Sequence, residues 1–171
     1  MTFTIRRAPL AAVLAAVAVP ASAVASARVL RPITKITAHK VSLTGHVEAL
    51  SSTGTIGTPG VKDTDAGILD GTISGTPRWE GAITQVATWS TGLAITTTGT
   101  AFNTDGALRF TLSGKFTARS PGELALRGRM AVTGGTGIYA GAHGTLAVSG
   151  TAVASPATTK LAFRLTGTLS F

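Results

Sequence analysis

From residue 34 onward the chain alternates apolar and polar residues, most sharply at its end. There Leu161, Phe163, Leu165, Leu169 and Phe171 share one face, and Lys160, Arg164, Thr166, Thr168 and Ser170 share the other. Leu124, Leu126, Met130 and Val132 oppose Glu123, Arg127 and Arg129 in the same way, as Leu108, Phe110, Leu112 and Phe116 oppose Arg109, Thr111, Ser113 and Lys115. A period of two with one apolar face marks a half-buried antiparallel strand. The pattern predicts eight strands, over residues 34–49, 65–75, 79–89, 92–102, 107–118, 122–133, 139–153 and 158–171, and no helix among them. Asn103-Thr104-Asp105-Gly106, Ser120-Pro121-Gly122 and Ser155-Pro156 supply turn residues between strands. The longest irregular stretch, residues 51–62, reads as a mobile loop at one mouth. The expected fold is all-β, a single eight-stranded antiparallel β-barrel. Side chains can just fill such a barrel, or it can hold one small ligand.

Glycines punctuate this pattern in two ways. A short motif recurs in mid-strand, as Leu43-Thr44-Gly45-His46-Val47, Leu69-Asp70-Gly71-Thr72-Ile73, Leu112-Ser113-Gly114-Lys115-Phe116, Leu126-Arg127-Gly128-Arg129-Met130 and Leu165-Thr166-Gly167-Thr168-Leu169. Glycine weakens an ordinary strand but serves where a barrel strand bends sharply. Its spacing here has no fixed period, which argues against a solenoid or propeller. The second cluster, Gly134, Gly135, Gly137, Gly141 and Gly144, surrounds Tyr139 and predicts a tight bend between two strands. Within it, Gly135-Thr136-Gly137-Ile138-Tyr139-Ala140 matches the dinucleotide-binding fingerprint. That motif needs a following helix and a later acidic residue, whereas the residues after it are β-type and the last acid of the chain is Glu123.

The run from Thr133 to Gly144 resembles the GGTG-aromatic-x-G-A-x-G segment of the calycin-like barrel superfamily that holds allene oxide cyclases, dirigent proteins and their small bacterial relatives. The likeness extends over residues 92–171. It implies a barrel around an apolar cavity that binds or conformationally steers an apolar small molecule, and a homotrimer. Steering of this kind works by holding a guest in a near-attack shape. The glycines and Tyr139 carry over as fold elements and no catalytic residue does. The cyclase pattern requires a cavity Asn and Cys, but the chain has no Cys and its single Asn, Asn103, falls in a turn. Glu48 and Asp70, read as the early strand acids, do not match the dirigent motif. The chain also lacks the G-x-W start and final helix of a lipocalin.

Residues 1–27 read as a secretory signal peptide and residues 28–171 as the barrel domain. Arg6 and Arg7 precede an apolar run over 10–19, and Ala21-Ser22-Ala23 and Ala25-Ser26-Ala27 each offer a small-residue cleavage site. The run is shorter than the roughly 20 residues of a spanning helix, so the expected location is extracellular, with no transmembrane segment in the mature chain. Absence of cysteine excludes a disulfide framework. Net charge is +8, but the basic residues are scattered singly with few aromatics between them, which argues against nucleic-acid binding.

Candidate chemistry is sparse. His39, His46 and His143 have no metal-ligand spacing, and no cofactor motif is present. His46 and Glu48 share the outer face of the first strand. Asp63, Asp65 and Asp70 read as a flexible acidic loop, because the glycine among them is misplaced for a calcium loop. Arg109, Lys115, Arg119, Arg127 and Arg129 should form a basic exterior patch, either an ordinary solvated face or a seat for an anionic polymer or lipid head group. Trp79, Gln85 and Trp89 share one strand parity, and with Tyr139 they are the ligand-binding candidates, provided that parity faces inward; the alternative is core or mouth packing. The function expected is small-molecule binding, with a structural or cell-surface role as the alternative and a cyclase or isomerase third.

Overall fold

The structure, a computed structural model, describes residues 36–154 and 158–171. The expected leader and the Ser155-Pro156 turn lie outside these residues. Eight strands follow one another as β1 (Ala38–Ser52), β2 (Lys62–Ile73), β3 (Trp79–Thr91), β4 (Ala94–Asn103), β5 (Gly106–Ser120), β6 (Glu123–Gly137), β7 (His143–Ala154) and β8 (Thr159–Ser170). Each pairs antiparallel with the next, and β8 pairs with β1, so the sheet closes into a barrel. Closure satisfies every edge within the chain. Among the described residues, no helix is long and apolar enough to cross a membrane.

The alternation read from the sequence sets the two surfaces. Leu43, Leu69, Ile83, Leu108, Met130, Leu146 and Leu165 point inward and are buried, while most threonines, serines and charged residues face out. The recurring glycines take the inward parity. A Cβ on Gly45 would stand 2.4 Å from the Phe163 ring, and one on Gly99 would stand 2.7 Å from the ring of Phe110. The missing side chains make room for phenyl rings, so the waist is packed almost solid. Only about 10 Å³ remains there, at or below what a water molecule needs.

Strand ends shift by a few residues throughout, and two of the differences bear on the site. The GGTG run continues β6 to Gly137 instead of bending, and the turn occupies 138–142, so β7 starts at His143 rather than 139. Pairing persists because Gly135 lets the backbone approach closely: a Cβ there would lie 2.2 Å from the Tyr139 carbonyl oxygen. Gly137, with φ +61°, then starts the reversal. The fingerprint-like segment therefore leads into a strand. The second difference is at β2, which begins at Lys62, three residues early, and takes Asp63 into the sheet.

The end of the barrel that holds the β2–β3, β4–β5 and β6–β7 turns is sealed. Trp79 and Tyr139 are fully buried with ring centroids 5.0 Å apart. Phe171 meets Tyr139 edge-on at 5.4 Å and stacks on His39 at 4.1 Å. Asn103 Nδ2 donates to the Tyr139 hydroxyl at 3.2 Å, while Asn103 Oδ1 accepts from the amides of Asp105 and Gly106. One turn asparagine thus holds both the β4–β5 reversal and the plug.

Candidate functional site

The opposite end is built differently. Leu50 and Ser90 are extra residues in β1 and β3, where the pairing shifts register. Such bulges are common at barrel rims, where they re-aim side chains. The β1–β2 loop stands at this mouth, as expected, and is paired with β3. Gly60 N donates to Trp89 O at 2.7 Å, Trp89 N donates to Val61 O at 2.9 Å, and Thr53 and Lys62 close the loop base. Backbone pairings of this kind leave no mark on the composition of a loop without an apolar run.

The folded loop leaves an open vestibule of about 520 Å³, with Leu50, Ile56, Leu93 and Leu124 on its walls and Trp89 at its base. Beneath lies a smaller cavity of about 50 Å³, and Ala49, Ile56, Trp89 and Thr159 line both. Its walls include Phe116, stacked on Trp89 at 5.5 Å, together with Thr97, Gln85, Asp63 and Asp65. Aspartates at alternate positions of one strand share a face, so the β2 register turns both carboxyls inward.

Asp63 is 4% and Asp65 8% exposed. Trp89 Nε1 donates to Asp63 Oδ2, and Gln85 Nε2 donates to Asp65 Oδ2 at 3.2 Å. Asp63 Oδ1 is buried without a protein partner. Burial pushes the Asp65 carboxyl up to about 6; the Gln85 hydrogen bond opposes this rise and the charge of Asp63 adds to it. Among the described residues, no lysine, arginine or histidine lines either space. The flexible acidic loop expected for Asp63, Asp65 and Asp70 is thereby corrected: two of the three are core residues of a strand. Asp70 faces out and pairs with Arg78, whose guanidinium holds its carboxyl below the usual value.

No protein-family model matches the chain, and neither does any curated protein. Among solved structures it is similar to a pyocyanin demethylase, at 25% identity over 73% of this chain and 99% of that one, with a TM-score of 0.41. It is also similar to a protein of unknown function from Clostridium acetobutylicum, at 11% identity over 77% and 99% of the two chains, with a TM-score of 0.37. The chemistry of the site is therefore read from the chain's own residues.

The four ligand-binding candidates do not form one pocket. Trp79 and Tyr139 belong to the sealed end, and Gln85 and Trp89 to the cavity. Sequence reasoning misses Asp63 and Asp65 as site residues. Their spacing is a usable signal, since a D-x-D pair ahead of an alternating segment fits an inward parity as well as a loop. Two carboxylates with an indole donor do not make a metal centre, and no cluster of three or more His, Cys, Asp or Glu side chains stands among the described residues. What the site offers is an apolar antechamber over a small anionic chamber with aromatic walls.

On the exterior, Lys115 lies directly opposite Arg127, and Arg127 is separated from Arg164 by Ser149 alone, in one row across β5 to β8. Arg129 stands two residues along β6 from this row, Arg109 lies further along β5 opposite Gly134, and Arg119 pairs with Glu123. His46 and Glu48 face outward as expected, and Glu48 is 3.9 Å from Lys160.

Proposed function

We propose that the protein is exported by its N-terminal leader and binds an apolar small molecule at the open end of the barrel, holding or steering it in the manner the allene oxide cyclase and dirigent resemblance implies. The observation that carries this reading is the apolar vestibule above Trp89, in a barrel whose waist is otherwise filled. The guest sits at the mouth, because the waist has no room for it. Trp89 and Gln85 are its candidate contacts, while Trp79 and Tyr139 support the scaffold. Native mass spectra of protein purified from its own secretion medium, recorded before and after organic extraction, test this. A releasable apolar mass is expected, and the intact mass counts subunits, three being what the resemblance implies. A bare protein in both spectra speaks for the alternative role.

That alternative, a structural or cell-surface role, draws on the row of Lys115, Arg127 and Arg164. Like charges directly opposite on neighbouring strands repel, and an anionic polymer laid along the row relieves this. Its signature is retention on a polyanion that is lost when Arg127 and Arg129 are reversed to Glu. A cyclase or isomerase is the third reading. Asp65 has the inward carboxyl and raised pKa that an acid–base step near neutral pH requires.

A further inference from the structure

Asp63 and Asp65 lie side by side in a chamber whose described walls carry no cation, in a chain with net charge +8. Buried carboxylates are ordinarily paired or made neutral, because an isolated charge in a low-dielectric interior costs several kcal/mol. Here an indole N–H and an amide N–H each satisfy one oxygen, and Asp63 Oδ1 is left buried and unpartnered in the cavity wall. Neutral donors stabilise a carboxylate but leave its charge uncompensated. The chamber, at about 50 Å³, admits a compact polar group and little more. The vestibule above it is ten times larger and mostly apolar.

We propose that the guest is a primary or N-methylated amine on an apolar body, its ammonium head seated between Asp63 and Asp65 against the Trp89 and Phe116 rings and its apolar part in the vestibule. This rests on the small-molecule reading and adds the chemical class. The ammonium donates to Asp63 Oδ1 and offsets one of the two carboxylate charges, and the aromatic walls attract a cation further. A neutral alcohol can meet Oδ1 but leaves the charge pair unbalanced, and a carboxylate is repelled. The described walls supply two aspartates and no third acid or histidine, so a bare metal ion is held less completely than an ammonium ion.

Octylamine, 1-octanol and octanoate share one tail and differ in head group, so titrating each into the full-length protein at pH 7.5 and following tryptophan fluorescence separates the two parts of the proposal. Trp89→Phe locates the signal, because Trp79 lies at the far end. We expect octylamine to bind about 10-fold or more tightly than octanol, with octanoate weakest, as befits charge-assisted bonds against neutral ones. The overall positive charge of the protein favours octanoate at long range, so a preference for the amine reports the local acids. Asp63→Asn keeps the size and the acceptor for Trp89, and it should bring the amine to within about 2-fold of the alcohol while octanol binding stays as it was. Octanol binding as tightly as octylamine in the unaltered protein overturns the ammonium inference and leaves the pocket standing. An amine preference that survives Asp63→Asn does the same. Binding of none of the three overturns the pocket reading itself.

Discussion

The two tryptophans sit near opposite ends of one strand, β3, and their surroundings differ in kind. Trp79 is buried against Tyr139, which in turn meets Phe171, and its Nε1–H has no partner. Trp89, nearly as buried, gives its Nε1–H to Asp63 and looks out on the vestibule. At the sealed end, the packing of three large rings outweighs one orphaned donor, a loss of about 1–3 kcal/mol. At the open end, the polar atoms are mostly paired but the charge is not balanced. One end is optimised for burial, and the other keeps an electrostatic cost that packing alone does not require. Unrelieved cost of that sort is where function is expected in an otherwise self-consistent fold.

Truncation of each indole in turn is the most forceful way to break this comparison. Trp79→Ala opens a hole under a plug that cannot collapse, with an expected loss of about 3–5 kcal/mol. Trp89→Ala opens onto the vestibule, where water can enter, and should cost no more than about half as much. Urea unfolding of the two variants with equal m-values reads the difference. Equal losses would mean that Trp89 is core like Trp79, and the open end would cease to be distinct.

The barrel wall is more legible in the sequence than either of its ends, and the reason is physical. Strand count, parity and the inward face follow from side-chain alternation, a local property that closure preserves; hence all eight strands and residues such as Leu43, Phe110 and Leu165 can be read directly. Tyr139 falls beside a glycine bend, but its contact with Trp79 joins the β6–β7 turn to the start of β3 and is fixed only once the barrel closes. Asp63 reads as loop because charged residues seldom face a core and the alternation starts the strand at 65. Its inward position follows from the parity it shares with Asp65 once β2 extends to Lys62, an extension set by the pairing of Asp63 with Ser52 and with Ala87. Neither leaves a trace in hydrophobic periodicity. The folded β1–β2 loop is illegible for a similar reason, since backbone hydrogen bonds to Trp89 hold it.

A sharper test concerns the cost carried by Asp65 alone. Its carboxyl titrates near 6 in the folded protein, against an ordinary 3.8. The folded state therefore binds this proton more tightly than the unfolded chain does. Above pH 6 the carboxylate is charged in both states and folding bears the whole cost of burying it. As pH falls from 6 towards 4 the folded protein takes up the proton first, and that stability is regained. A shift of about 2 pH units corresponds to up to about 3 kcal/mol. Asp65→Asn retains an acceptor for Gln85 and removes the charge. The variant should be more stable than the natural protein by up to that amount at pH 7.5, with the gain disappearing by pH 4. Denaturant midpoints across that range decide it, and a gain independent of pH would show that the charge is already well solvated.

The smallest effect on stability should accompany a change at the rim. Leu50 is the bulged residue of β1, 67% exposed, with its side chain on the vestibule wall. Because it already faces water, Leu50→Ser should alter unfolding free energy by no more than about 0.5 kcal/mol. The same change removes apolar surface from the place assigned to a ligand's tail. At roughly 25 cal/mol for each Å² of apolar surface that the ligand no longer covers, octanol affinity should fall a few-fold. Octylamine should weaken by a similar factor, so that the ratio between the two heads is kept. Unchanged octanol binding would put the tail elsewhere, and a change in the ratio would mean that head and tail sites are not separate. An exposed leucine raised on a bulge, beside an apolar hollow and a chamber of unbalanced charge, costs the fold almost nothing to lose, so its loss reports on binding with little interference from stability.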